Sequence, residues 1–342
     1  MKDSNHRDRA AAFPNRLARW LACGCALLAA HAAAWNDAGH LAIAMRAYDA
    51  LAPDVRARLV AIVRRHPRFA PDIAALRPRS LDGAAAAQLD RWDFAYASVW
   101  PDRAREFSNV VDPAQRQALI ATYDRPHWHY INLPIDLDAR DRSRGGDRAR
   151  PAASPENLDI VQALESLSST WRARQTRDAD RAVALAWVEH LVADLHQPLH
   201  AASLYADGLF PNGDRGGNSI ELAPGESLHR AWDEALGTRR QLRDLARIEA
   251  ALPNVAAPRG PIDFAAWARE ARDVAATAAY TDSIRGQLSA ARARGVEGHV
   301  AVTLDARDRA TLHEVAARQA ALAAARLVRV LVALDGARDN GG

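Results

Sequence analysis

From position 39 onward the chain repeats apolar residues at helical spacing, every third or fourth position. The first such run covers 39–66, and Pro53 divides it into two helices. The same period returns over 84–98 and 113–124. The stretch 137–155 (LDARDRSRGGDRARPAASP) is polar and rich in Gly and Arg, so it reads as an exposed loop. Two more helices are predicted at about 157–173 and 178–195, the second stopping before Pro198. Over 203–226 the period is lost among Gly208, Pro211, Gly213, Gly216 and Gly217, which predicts a loop holding one short strand at Ser219–Leu222. Helical spacing resumes over about 227–250, 262–290 and 306–335. The pattern contains no repeat of 20–50 residues and no linker. It therefore predicts one all-α domain, a multi-helix bundle over 35–342 with long loops and at most a short hairpin. The last few residues are expected to be disordered.

The first 34 residues do not fit that pattern. A charged segment runs to Arg19, an apolar stretch follows at Trp20–Ala30 (WLACGCALLAA), and Ala32 and Ala34 make an A-x-A site before Trp35. This is the layout of a cleaved signal peptide, and the apolar stretch is too short to span a bilayer comfortably. The expectation is a secreted or periplasmic protein beginning at Trp35, with no membrane anchor after processing and no obligate protein partner. Both cysteines, Cys23 and Cys25, lie in the leader. The processed chain then has no disulfide, no thiolate metal site and no cysteine nucleophile.

Charge narrows the function further. Five of the 45 basic and two of the 42 acidic residues precede Trp35, which leaves 40 of each in the body. A neutral body excludes a broadly basic nucleic-acid wrapper, so any hold on phosphate must be local.

Histidine supplies the candidate chemistry. His190 and Asp194 are four apart on a predicted helix, so they share one face. His229 and Asp233 repeat the spacing, and LHQPLH between them adds His196 and His200. A single His–Asp pair at this spacing is usually a surface contact. The first pair, however, sits among apolar neighbours (ALAWVEHLVADLHQPLH), and buried His and Asp need partners that a metal ion can supply.

These segments resemble the S1/P1 nuclease family, whose fold is shared with zinc-dependent phospholipase C. The likeness is carried by WNDAGH (35–40), ASVWPD (97–102), HWHYIN (127–132), EHLVADLHQPLH (189–200), GDRGGN (213–218) and LHRAWD (228–233), in family order. It implies a helical domain of that type and three zinc ions. Asp102, His129, His190 and Asp194 would hold the first. Trp35, through its free α-amine and carbonyl, would hold the second with His40 and a shared oxygen of Asp194. His200, His229 and Asp233 would hold the third. An α-amine has an ordinary pKa of about 7.7–8.0, low enough to give up its proton to zinc near neutrality. The cleavage site before Trp35 frees that amine.

The resemblance also implies a catalytic carboxylate at Asp102, which orients the nucleophile, and Arg105, whose planar donors suit developing phosphate charge. Tyr130 and Asn132 match positions that stack on and hydrogen-bond a base, and Asn218 matches a substrate contact. The expected activity is zinc-dependent endonucleolytic hydrolysis of single-stranded DNA or RNA to 5′-phosphate products, with 3′-nucleotidase activity alongside. Two alternatives stay open: a phospholipase C-like phosphodiesterase on the same scaffold, and a non-catalytic periplasmic zinc-binding protein. Asp233 favours the nucleases, since the phospholipases typically place glutamate there. His196 is expected to be structural, and Trp100, Trp187 and Trp232 to pack the core. Two departures stand out: Asn36 where the family often has glycine, and a longer Ala201–Gly217 loop.

Overall fold

The computed structural model describes residues 35–138, 157–256 and 258–339. The predicted signal segment, most of the Gly- and Arg-rich loop and the last residues lie outside the described residues.

The N-terminal half is helical: α1 (Asp37–Ala50), α2 (Pro53–Val63), the single turn α3 (Phe69–Asp72), α4 (Ala86–Ala97), the single turn α5 (Trp100–Arg103) and α6 (Pro113–Tyr123). Strand β1 (Leu133–Asp136) follows, then α7 (Ile160–Arg172), α8 (Asp178–Asp194) and β2 (Ala202–Tyr205). The remainder comprises β3 (Ile220–Ala223), β4 (Glu226–Ser227), α9 (Leu228–Asp233), α10 (Leu242–Ala251), α11 (Phe264–Val274), α12 (Asp282–Ala293), β5 (Val300–Ala301) and α13 (Ala306–Asp339). The all-α class read from the pattern holds.

Pro53 occupies the first turn of α2, where its missing N–H costs nothing, and so separates two helices instead of kinking one. Two long periodic stretches are interrupted. The 227–250 run divides into α9 and α10 around Gly237, whose φ of 114° no helix accommodates. The 262–290 run divides where Ala275–Ala279 forms one wide turn, closed by Tyr280 N–H to the Ala275 carbonyl at 2.9 Å. Thr281 then caps α12 by accepting from the Ile284 N–H.

Two helices are enclosed on nearly every side. In α1 the residues from Ala38 to Met45 are all buried, and in α8 those from Ala184 to Asp194. Helices without a polar face belong inside a bundle. The polar residues of these stretches, His40, Glu189, His190 and Asp194, are consequently forced into the core.

The strands are few and short, but one pair matters to the site. Strands β1 and β2 are parallel, in register from Leu133 beside Ala202 to Asp136 beside Tyr205. The pairing continues backward, with Ile131 N–H donating to the His200 carbonyl at 2.7 Å. The residues just before each strand, His129 and His200, are thereby laid next to each other. Strand β3 matches the predicted 219–222 strand within a residue or so and lies between β4 and β5.

Candidate metal centre

Three groups of ligand-type side chains converge, each with its ligand atoms within 4.8 Å of one another: His40, His190 and Asp194; Asp102, His129 and His190; His200, His229 and Asp233. His190 belongs to two groups. Asp194 Oδ2 lies 3.9 Å from His200 Nδ1, so the three groups adjoin. All of these side chains are buried except Asp102, which is partly exposed.

Within the first two groups, Asp194 Oδ2 is 3.1 Å from both His129 Nδ1 and His190 Nε2. Asp102 Oδ1 approaches those same two nitrogens at 4.0 and 3.8 Å. On the other side, His40 Nε2 lies 3.2 Å from Asp194 Oδ1, and its ring stacks on His190 with centroids 4.1 Å apart. In the third group, Asp233 Oδ1 is 3.6 Å from His200 Nε2 and Oδ2 is 3.5 Å from His229 Nε2.

Backbone carbonyls set the tautomers. His190 Nδ1–H donates to Ser98 O at 2.8 Å, His200 Nδ1–H to His129 O at 2.7 Å, and His229 Nδ1–H to Gly216 O at 2.7 Å. A carbonyl only accepts, so Nε2 is the nitrogen each ring turns toward the carboxylates: it carries the lone pair when the ring is neutral and donates when the ring is protonated. Gln197 Nε2 donates to Asp233 Oδ1 at 2.7 Å and holds the last carboxylate.

Electrostatics follow burial and neighbours. Burial, then Arg105, push His129 down to about 3, and burial with His190 lowers His40, so both stay neutral, the ligating form. Burial raises the Asp194 carboxyl, but His190, His200 and the hydrogen bonds from His129 and His190 outweigh it and hold the group well below the usual range. At Asp233 burial prevails and the carboxyl is pushed well above that range.

Trp35 is fully buried beside this assembly, its indole N–H donating to Ala193 O at 3.0 Å, next to Asp194. Asn36 caps α1 by accepting from the Ala38 and Gly39 N–H groups. It also donates through its amide to Gly237 O at 2.8 Å and through its backbone N–H to Asp233 O at 3.2 Å. Asn36, where glycine was the family expectation, thus ties α1 to the α9 region.

Asp102 and Arg105 line an open cavity of about 570 Å³ with Asp37 and Arg240, and Arg105 Nη2 is 3.0 Å from Asp102 Oδ1. Tyr130 is partly buried, its hydroxyl 3.0 Å from His127 Nδ1, whereas Asn132 is exposed. Asn218 is partly exposed, and its amide donates to Arg215 O at 2.9 Å within its own turn. His196 is structural: Nδ1–H donates to Val192 O at 2.7 Å, and Nε2 accepts from the buried Arg326 at 3.0 Å. Trp100, Trp187 and Trp232 are buried core residues. The pattern gave no role to Gln197 or Asp214, which act through tertiary contacts; GDRGGN was the only hint of Asp214.

The fold and site together define a helical domain with three adjoining groups of His and Asp side chains of the kind that can hold metal ions. Residues 35–334 match the sequence profile of the S1/P1 nucleases, and the chain belongs to that family. It is similar to Endonuclease 2 of Arabidopsis thaliana, 32% identical over 122 residues that cover 32% of this chain and 38% of that protein. Endonuclease 3 of the same plant is 22% identical over 210 residues, 59% of this chain and 54% of that protein. The chain thus spans between about two fifths and a little over half of the curated relatives it matches.

Proposed function

We propose that this protein is a trinuclear zinc hydrolase that cuts single-stranded DNA or RNA to 5′-phosphate products outside the cytoplasm, once processed before Trp35. The observation that carries the metal reading is the set of buried polar atoms left without hydrogen-bond partners. His40 Nδ1 and Nε2, His129 Nε2 and Asp194 Oδ1 are among them, and burying such groups unpaired is costly. Divalent cations held between them would remove that cost. A nitrogen and carboxylate donor set without sulfur suits zinc.

Asp102, His129, His190 and Asp194 would hold one ion. His40 and Asp194 would hold another with the Trp35 amine and carbonyl, and His200, His229 and Asp233 the third. Zinc so held supplies Lewis acidity toward a phosphoryl oxygen and lowers the pKa of water near it to about 7.

The chain's own residues supply the rest. Asp102, facing the cavity, accepts a hydrogen bond from the attacking water and aligns it with phosphorus. Arg105, within 3.0 Å of Asp102, offers N–H donors to the phosphoryl oxygens as negative charge builds on them. Tyr130 stacks on a base and Asn132 hydrogen-bonds it, which only an unpaired base allows, and Asn218 contacts the substrate. The names of the two Arabidopsis endonucleases support a nuclease.

The test uses protein beginning at Trp35, stripped with chelator and resupplied with zinc, acting on single-stranded and duplex DNA. Cleavage of single strands to 5′-phosphorylated ends, abolished by chelation and restored by zinc, is expected. A verified three-zinc protein that cleaves no nucleic acid would sink the nuclease reading. Hydrolysis of phosphatidylcholine would then point to a phospholipase, and metal uptake with no hydrolysis to a zinc carrier.

A further inference from the structure

The GDRGGN segment has a buried carboxylate to which the mechanism above gives no task. Asp214 is wholly buried and accepts four hydrogen bonds from three parts of the chain. Its Oδ1 takes the Leu204 N–H at 2.8 Å and the Ser203 hydroxyl at 3.2 Å, both on β2. Its Oδ2 takes the Gly217 N–H at 3.0 Å and the Tyr280 hydroxyl at 2.7 Å. Tyr280 is itself fully buried, aimed inward by the wide turn Ala275–Ala279 that precedes it.

These bonds fix the loop directly under His229. Gly216, between Asp214 and Gly217, presents the carbonyl that accepts from His229 Nδ1–H at 2.7 Å. Gly216 is also pressed against the chain that carries His200: a Cβ there would come within 2.5 Å of the Leu199 carbonyl. Its φ of 61° lies in the left-handed region that glycine tolerates. The loop therefore has one seat, with Leu199 O on one side and the Asp214 carboxylate on the other.

We infer that Asp214 and Tyr280 are positioning residues that hold the Gly216 carbonyl against His229 and so set the metal affinity of the His200–His229–Asp233 group. The inference rests on the metal reading proposed above. Outer partners that orient a ligating histidine change metal affinity by about 10–100-fold when lost. A post that merely stabilised the fold would lower the melting temperature and leave metal affinities alone.

The experiment compares wild type with Asp214→Asn and Tyr280→Phe. Asp214→Asn turns an NH2 toward two donors, and Tyr280→Phe removes only the hydroxyl. Metal-free purified protein is titrated with zinc against a competing chelator of known affinity, and the metal-free melting temperature is recorded alongside. His229→Ala marks which zinc equivalent belongs to the third group. In Asp214→Asn that equivalent is expected to weaken by about 10–100-fold, with the other two within about twofold. In Tyr280→Phe the same equivalent is expected to weaken less and still selectively. Tyr280→Phe preserves the packing, so it decides the matter even if Asp214→Asn fails to fold. Three unchanged affinities in Tyr280→Phe, or an equal loss at all three, would overturn the inference alone. A wild type that binds fewer than three zinc ions would overturn the metal reading and the inference with it.

Discussion

At the scale of single residues, periodicity reveals which side chains share a face but not what holds them. The pairs His190–Asp194 and His229–Asp233 were legible because a helix brings positions four apart onto one side. Their tautomers were not, because the fixing carbonyls belong to Ser98, 92 residues before His190, and to Gly216, in an irregular loop 13 residues before His229. His66 shows the same limit. It had no role in the pattern, yet it is buried, packs edge-on against Trp100 and accepts the Arg68 N–H at 3.1 Å. Burial lowers its pKa to about 4 from the ordinary 6.5. The unfolded chain takes up this proton first as pH falls. The stability is therefore complete above pH 6.5 and is lost on the way to 4, by about 3 kcal/mol at most. His66→Asn keeps an acceptor for Arg68 and cannot titrate. Urea unfolding of the two proteins between pH 7 and 4 is expected to show a shallower loss in the variant. Parallel curves would dismiss His66 as a source of the acid sensitivity.

At the scale of elements, long helices were read well wherever Pro or a polar turn bounded them, as for α1, α2 and α8. The single turn α5, which carries Asp102, is too short to show any period, and the splits at Gly237 and Ala275–Ala279 interrupt stretches whose apolar spacing continues. Strands β1 and β2 were likewise invisible, although their parallel pairing sets His129 beside His200. The seating of α1 depends on Asn36, which combines an N-cap with a long-range donor to Gly237 O. Loss of a cap costs about 1 kcal/mol and loss of a partly buried hydrogen bond about 1 more. Asn36→Ala is thus expected to destabilise the protein by about 2 kcal/mol, read from the denaturation midpoint at constant slope. A loss below about 0.5 kcal/mol would mean that α1 is seated by its apolar packing alone.

At the scale of the whole molecule, the absence of net charge from position 35 onward bears on how a polyanion is held. The arginines bordering the cavity are largely committed. Arg105 lies against Asp102, and Arg240 pairs with Asp37. Among the described residues no helix is long and apolar enough to cross a membrane. Each phosphate neutralised on a single strand contributes about −0.7 to the logarithmic salt slope. A neutral body with one local phosphate site engages about two phosphates, against six to ten for a basic wrapping surface. Between 50 and 200 mM salt, kcat/KM on a single-stranded oligonucleotide is then expected to fall by less than about tenfold, whereas a wrapping surface would lose about three hundredfold or more. Initial rates across that range, at fixed free zinc, distinguish the two. A steep decline would show that an extended cationic track contributes to binding and that the clustered His and Asp side chains are only part of the substrate site.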